Sequence, residues 1–221
     1  MSRIMNPFLR GLALSIALIS ANKMAMAAAP GISTHTLGKA DLVDKKIAVA
    51  GKVVSALAIE DKHGEHILVL TSARGPSLEQ PGRGRIERTD LRATYHSKVD
   101  GKWREEWAIK DGVDCPMLDF EAMFFSRYVA VSDVNGDGIA EVTVPYKLFC
   151  GGGVDVDIVK VILRHGPEKY AVRGESLVRL KGQEDFGGSY KADASLTLPQ
   201  NAAFRKQLLK VWKQVYIRVD S

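Results

Sequence analysis

The sequence predicts a mainly β protein, an α+β antiparallel meander or sandwich of about seven or eight strands with one C-terminal amphipathic helix. Short segments rich in Val and Ile recur along the chain, and clusters of Gly, Pro, Asn and Asp separate them. Near the C-terminus the apolar pattern changes to a helical period. The 221 residues, 46% of them hydrophobic and 26% charged, suffice for one domain with a real core.

Two hairpins are expected in the first half of the chain. Their four strands are 46–60, 65–71, 91–99 and 102–110. The first turn contains His63 and His66, which lack the spacing of a helical zinc site, so we expect a solvated hairpin there. The pair Asp100-Gly101 is a tight-turn signal between the last two strands. Residues 73–88 form a basic loop, and since most such loops are simply solvated, we expect no binding role.

Four more strands and a helix complete the predicted domain. The strands are 123–131, 140–149, 154–164 and 170–180. Pro145 lies inside the second of them and demotes it to an edge or a bulge. Over 200–216 the apolar residues recur at helical spacing. They are Phe204, Leu208, Val211, Trp212 and Val215. This stripe must cover part of the sheet, with Trp212 in the core rather than free to stack on a ligand.

The segment 1–27 is typical of a cleaved secretory signal of the Gram-negative type, which leaves a single domain over 28–221. Arg3 and Arg10 precede an apolar run, and residues 25–27 supply small side chains before the cleavage point. The run is about half as long as a membrane span requires. We therefore expect a periplasmic or secreted protein with no membrane span after cleavage. Its formal net charge then falls from +5 to about +2, which gives no reason to expect nucleic acid as a partner.

Cys115 and Cys150 are the two cysteines of the chain. An even pair in an oxidising compartment usually forms a disulfide, and export therefore predicts a bridge between them. Two free buried thiols are the alternative. The chain has no C-x-x-C motif that would indicate redox chemistry.

One short segment, 133–141 (DVNGDGIAE), has the pattern of a calcium-binding loop. Oxygen-bearing side chains alternate along it, a glycine stands at the sixth position, and its three carboxylates repel one another unless a cation neutralises them. The candidate ligands are Asp133, Asn135, Asp137, the carbonyl of Ile139 and Glu141. An EF-hand is excluded, because Val144 stands where the bidentate Glu is needed. The alternative is an Asx-rich turn whose side chains cap backbone amides without metal.

This loop resembles the calcium loop of FG-GAP and VCBS-type repeats, a D-x-[DN]-x-D-G-x-x-[DE] segment between two strands of a β-propeller blade. The resemblance covers about 128–146 and implies calcium on the five candidate ligands. The motif occurs once, whereas a propeller needs at least four blades, so a propeller is not expected.

From Cys115 onward the chain is similar to small exported bacterial proteins loosely labelled surface-polysaccharide biosynthesis proteins. The segments that carry this resemblance are DVNGDGIAEVTVPYK, the second Cys, DIVKVIL, KYAVRG, FGGSY and the closing helix. The resemblance implies a role in the assembly of cell-envelope polysaccharide.

The usual catalytic signatures G-x-S-x-G, H-E-x-x-H and a phosphate loop are missing from the sequence. We therefore expect a non-catalytic exported accessory or binding protein with a structural calcium loop, whose partner is an envelope protein or glycan. One alternative is a periplasmic enzyme that acts on envelope polysaccharide with paired carboxylates near the glycine-rich loops 151–157 or 187–190. The candidate pairs are Asp119 with Glu121 and Asp155 with Asp157. Another alternative is a periplasmic inhibitor or immunity protein.

Overall fold

The computed structural model describes residues 31–76, 87–115 and 118–220. The predicted signal segment 1–27 lies outside these ranges. The expected fold class is confirmed: antiparallel sheets dominate and a helix lies near the C-terminus. The described ranges contain fourteen strands rather than seven or eight. Several predicted strands are split, and several short strands carry no clear sequence signal.

The first sheet is a five-stranded antiparallel meander in chain order. Its strands are β1 (Ser33–Thr36), β2 (Lys52–Asp61), β3 (Gly64–Pro76), β4 (Glu87–Val99) and β5 (Lys102–Cys115). Both predicted hairpins are confirmed. Asp100 and Gly101 have positive φ angles of 51° and 72°, as a type I′ turn requires.

The basic segment 73–88 is only partly a loop, which corrects the prediction. β3 and β4 extend into it, and Arg74 pairs across the ladder with Glu87 at 2.5 Å. Cross-strand pairs of opposite charge allow a strand to carry charged side chains on an open face. Residues 77–86 lie outside the described ranges.

The second sheet has six strands in the order β13, β10, β9, β8 and β6, with β7 also paired to β8. These strands are β6 (Asp119–Phe124), β7 (Ala130–Ser132), β8 (Glu141–Gly151), β9 (Ile158–His165), β10 (Glu168–Glu175) and β13 (Tyr190–Ala192). The predicted strand 123–131 is split, because a 3₁₀ turn at Ser126–Tyr128 separates β6 from β7. A small third sheet has the order β12, β11, β14. Its strands are β11 (Leu177–Leu180), β12 (Phe186–Gly187) and β14 (Ile217–Asp220).

Pro145 lies in the interior of the second sheet, which corrects the edge or bulge prediction. It pairs with Val161 on β9, and its carbonyl accepts the N–H of Phe125 on the other side. β6 and β7 pair with β8 on either side of this position and leave a gap opposite it. We infer that the missing N–H of Pro145 points into the gap, because N–H and C=O of a strand residue point to the same neighbour.

The two main sheets pack face to face and a helix covers the outer face of each. The core between the sheets includes Leu68, Tyr95 and Ile109 from the first sheet and Val142, Val144 and Tyr146 from the second. The predicted helix is α2 (Ala202–Val215), which packs on β9 and β10. Trp212 is 2% exposed, as predicted. On the other side, α1 (Lys39–Asp44) buries Leu42 against the first sheet.

The predicted disulfide is present and joins the two sheets. Cys115 ends β5 and Cys150 lies in β8, with an S–S distance of 2.09 Å and a Cα–Cα distance of 5.6 Å. No helix within the described part of the chain is long and apolar enough to cross a bilayer.

Candidate functional site

The loop over 133–141 joins β7 to β8 and is ordered by hydrogen bonds between its side chains and its own backbone. The carboxylate of Asp133 accepts the N–H groups of Gly136 at 2.8 Å and Gly138 at 2.9 Å. Both glycines have φ near +80°. Only residues without a Cβ adopt this conformation freely, which explains the two glycines of the motif.

The next two polar residues continue the same pattern. Asn135 Oδ1 accepts the N–H of Asp137 at 3.1 Å, and Asp137 Oδ1 accepts the N–H of Ile139 at 2.8 Å. The amide nitrogen of Asn135 donates to Asp137 Oδ2 at 2.8 Å. These are the bonds of the Asx-rich turn, and they also hold the carboxylates in fixed positions. Both oxygens of Asp133 and Oδ1 of Asp137 each accept one N–H and keep a second lone pair for a cation.

Glu141, the last predicted ligand, is fully buried at the start of β8. Its Oε2 accepts the N–H of Val134 at 2.7 Å, whereas its Oε1 is buried and has no hydrogen-bond partner in the described structure. The pKa of Glu141 is raised. Burial is the largest cause, and the negative charges of Asp133 and Asp137 raise the pKa further. A buried carboxylate oxygen without a donor carries a desolvation cost that a cation would remove.

The structure adds His165, at the end of β9, to the predicted set. Its Nε2 lies 2.9 Å from Asp137 Oδ2, and one ligand atom from each of Asp137, Glu141 and His165 lies within 4.8 Å of the other two. Sequence reasoning missed this residue because it lies far from the motif along the chain. Antiparallel pairing of β8 with β9 places it directly opposite Glu141. Pairing the predicted strands 140–149 and 154–164 as a hairpin was the signal that could have found it.

Three hydrogen bonds attach the loop to the turn of the first hairpin, one of them from Lys62 Nζ to the carbonyl of Asp137 at 3.4 Å. The N–H of Lys62 donates to the carbonyl of Gly138 at 3.0 Å, and the N–H of Ala140 donates to Asp61 Oδ2 at 2.9 Å. The candidate metal loop therefore bridges the two sheets at one end of the sandwich.

His66 is 5% exposed, so the prediction of a solvated hairpin is wrong for this residue. It lies on the face of β3 that points toward the second sheet, and its ring stacks on Tyr95 with centroids 5.1 Å apart. Its Nε2 lies 2.9 Å from Asp61 Oδ1 and its Nδ1 lies 2.5 Å from Ser97 Oγ. His63 is exposed, as predicted.

The carboxylates predicted for a polysaccharide enzyme do not all lie on strands. Asp119 and Glu121 stand two residues apart in β6, whereas Asp155 and Asp157 precede β9, which begins at Ile158. Lys147 Nζ lies 2.7 Å from Glu121 and 3.5 Å from Asp157, so one lysine contacts one acid of each predicted pair. Asp157 is buried, and burial is the main cause that raises its pKa, whereas Asp155 is exposed.

An apolar groove of about 720 Å³ runs beside α2. Its apolar lining includes Leu196, Leu198, Pro199 and Leu209, and its basic lining is Arg205, Lys206, Lys210 and Lys213. The residues described as lining it include no acid. Such a combination fits a ligand that carries both apolar and acidic groups.

Comparison with known proteins found no family model, no curated protein and no solved structure that matches this chain. The fold and the site define a β sandwich, bridged by a disulfide, with an acidic Asx-rich loop at one end. The two resemblances noted in the sequence therefore stay predictions, and function has to be argued from the residues.

Proposed function

We propose that this chain is an exported binding or accessory protein whose loop over 133–141 holds a calcium ion in a structural role. The observation that carries the proposal is the buried Oε1 of Glu141, which has no hydrogen-bond donor among the described residues and lies beside two further carboxylates of the loop. A divalent cation satisfies that oxygen and neutralises the cluster. Location in the periplasm or secretion, and a link to envelope polysaccharide, rest on the predicted signal segment 1–27 and on the resemblance, and they belong to this proposal.

Calcium is favoured over a transition metal by the number of oxygen atoms. Asp133, Asn135, Asp137 and Glu141 offer side-chain oxygens within one short loop, and calcium takes six to eight oxygen ligands. Zinc instead favours nitrogen and sulfur ligands in a tetrahedral set. The imidazole of His165 with two of the carboxylates provides the start of such a set, so zinc is the competitor that the experiment has to include.

Thermal unfolding of the mature protein in EDTA, in 10 mM calcium and in zinc tests this proposal. Extracellular calcium modules bind at about 0.1–1 mM, and a ligand at a hundred times its Kd stabilises by about 2.7 kcal/mol. For a chain of this size we expect calcium to raise the Tm by about 5–10 °C at most. Asp137→Ala should abolish the shift, and the exposed, distant Asp119→Ala should keep it.

Two results would overturn the proposal. An unchanged Tm at low ionic strength in both metals would leave the loop as an Asx-rich turn only. Stabilisation by zinc but not by calcium, lost in His165→Ala, would replace the calcium site by a transition-metal site on Asp137, Glu141 and His165.

The groove beside α2 supports binding of a protein partner with acidic and apolar side chains. Its basic residues make no ion pair with the described part of the chain, so their charges are available to a partner. Photo-crosslinking from a probe at Leu198 in the native periplasm, with and without calcium, should trap one protein. Lys206→Glu combined with Lys210→Glu should abolish the crosslink, and Lys39→Glu with Lys102→Glu, which lie elsewhere, should not. A crosslink that survives the first pair would contradict this use of the groove.

A further inference from the structure

Three buried polar side chains at one end of the first sheet stand in the order acid, imidazole, hydroxyl. Asp61 ends β2, His66 begins the inward face of β3, and Ser97 lies directly opposite His66 on β4. The distances are 2.9 Å from Asp61 Oδ1 to His66 Nε2 and 2.5 Å from His66 Nδ1 to Ser97 Oγ. A nucleophile within hydrogen-bond reach of a base, with that base oriented by a third group, is the signature of an activated nucleophile.

The hydrogen bonds of Asp61 fix which nitrogen of His66 carries the proton. Burial raises the pKa of Asp61, but the N–H groups of Ala140 and His63 together with His66 outweigh it, so that the pKa is lowered overall. An ionised carboxylate is an acceptor only, and Nε2 must therefore donate to it. In the neutral imidazole, Nδ1 is then the free base, and it accepts the proton of the Ser97 hydroxyl.

The same contacts hold this arrangement rigidly. Asp61 accepts the N–H of His63 at 2.7 Å on one oxygen and the N–H of Ala140 at 2.9 Å on the other. The ring of His66 stacks on Tyr95. Neither the carboxylate nor the imidazole is therefore free to rotate away from Ser97, which is the preorganisation that a general base requires.

A cavity of about 120 Å³ adjoins the three residues. Asp61, His66 and Ser97 line it, together with Arg164 and Trp107. The Nε of Arg164 is a buried donor with no acceptor in the described structure, and its guanidinium lies over the ring of Trp107 at 5.2 Å. The cavity lining thus includes a serine hydroxyl hydrogen-bonded to an imidazole and an arginine with no carboxylate partner among the described residues. A guanidinium that reaches a reacting carbonyl can stabilise an oxyanion.

A wider groove of about 590 Å³ lies next to this cavity and shares several of its lining residues. The shared residues are His63, Glu106, Trp107, Ile139 and Gly166. Pro167 and Ile139 give the outer groove an apolar character. The inner cavity accommodates a short acyl group, and the outer groove accommodates the rest of a larger molecule.

We propose that Ser97 is the nucleophile of an acyl-transfer site that cleaves esters of short acyl groups, with His66 as general base and Asp61 as the residue that orients it. Ser97 Oγ bonds to the ester carbonyl carbon as its proton passes to His66 Nδ1. The ester C–O bond breaks, and the departing alkoxide takes that proton. Water then gives a proton to His66 Nδ1 as its oxygen bonds to the acyl carbon. The bond from that carbon to Ser97 Oγ breaks, Oγ takes the proton back from His66, and the carboxylic acid leaves. One ester and one water give one acid and one alcohol.

This activity goes beyond the proposed binding function and departs from the expectation of a non-catalytic protein. Ser97, His66 and Asp61 lie outside the loop over 133–141, although Ala140 of that loop donates to Asp61. Labelling of Ser97 in calcium and in EDTA therefore tests this activity separately from metal binding. A network with only a structural role needs no space beside its serine, whereas Ser97 here lines a cavity.

A fluorophosphonate probe tests the proposal on the mature protein. Ser97 Oγ displaces fluoride from diisopropyl fluorophosphate, and the phosphoryl group stays on the serine. Mass spectrometry should find one adduct per chain, on the peptide that contains Ser97, in native protein and not after unfolding in urea. Labelling of another residue, or no labelling of the native wild type in either calcium or EDTA, would overturn the proposal without reference to any variant.

Variants then separate chemistry from structure. Ser97→Ala should lose the adduct and the burst of p-nitrophenol from p-nitrophenyl acetate, and the control Ser55→Ala on β2 should keep both. His66→Gln, with a native circular dichroism spectrum, should slow labelling at least about 100-fold, the usual contribution of a general base. Labelling of folded His66→Gln at the wild-type rate would show that the imidazole plays no chemical role.

Discussion

Replacing Glu141 by Gln should change stability in opposite directions with and without calcium. The side chain is fully buried, Oε2 already has the N–H of Val134, and Oε1 has no donor. Without a cation, the charged carboxylate of Glu141 is repelled by Asp133 and Asp137 and is removed from water. Both effects destabilise the native state. Gln keeps the acceptor for Val134 and removes the charge.

The expected change in the free energy of unfolding follows from the cost of burying a polar group without a hydrogen-bond partner, which is about 1–3 kcal/mol. Gln leaves a neutral amide in the same place, so we expect a net gain of about 1 kcal/mol in EDTA, or about 2–4 °C in Tm for a chain of this size. In calcium at a hundred times the Kd, the wild type gains about 2.7 kcal/mol, most of which the variant loses. The two melting curves should therefore exchange order.

Circular dichroism melts of both proteins at low ionic strength, in EDTA and in 10 mM calcium, give the four midpoints that are needed. Glu184→Gln, an exposed position outside the loop, is the matched control and should follow the wild type in both buffers. If the Glu141→Gln variant were less stable than the wild type by the same amount in EDTA and in calcium, the charge of the carboxylate would play no part in calcium binding, and the reasoning would fail.

Three further predictions follow from single contacts. Non-reducing mass spectrometry of protein from the periplasm should give a mass about two daltons below that of the dithiol form, and Cys150→Ala, which frees Cys115, should cost about 2–4 kcal/mol in a urea titration. Leu208→Ala on α2, where the side chain is fully buried, should cost about 2–5 kcal/mol without changing the m-value greatly. Burial raises the pKa of Asp111, but hydrogen bonds outweigh burial and lower the pKa overall, the largest being that from Lys160 at 2.6 Å. The ionised Asp111 therefore stabilises the native state at pH values above its pKa in the unfolded chain. This stabilisation is lost as the pH falls through the pKa of Asp111 in the native state. Asp111→Asn should accordingly destabilise by about 1–2 kcal/mol at pH 7 and by progressively less below about pH 4, which acid-dependent urea titrations would measure.

Local patterns were sufficient to predict the elements whose signal lies in adjacent residues. The turn at Asp100-Gly101 and the apolar stripe that includes Leu208 and Trp212 both have their predicted conformations. The disulfide followed from compartment and cysteine count rather than from spacing. In each case the prediction rests on a φ preference, a helical period or an expected redox environment. None of these depends on which strands pair.

The features that the sequence did not predict depend on which strands pair and in which register. The sequence predicts an edge or a bulge at Pro145 because a central strand normally needs the N–H of each residue, and only the gap between β6 and β7 removes that need. The contribution of His165 to the candidate metal site depends on the β8–β9 register, which places it opposite Glu141. Neither feature is visible in a window of ten residues.

The same reasoning explains why the Asp61 cluster escaped a search for motifs. Its members come from three strands, and the β3–β4 register alone sets His66 opposite Ser97. Side chains alternate between the two faces of a strand, so a slip of one residue would turn the imidazole to the outer face and leave the hydroxyl without a base. Asp61 adds a second constraint, because its other oxygen accepts the N–H of Ala140 from the opposite sheet. A cluster assembled in this way depends on sheet register and on sheet packing together, and for that reason no short sequence motif predicts it.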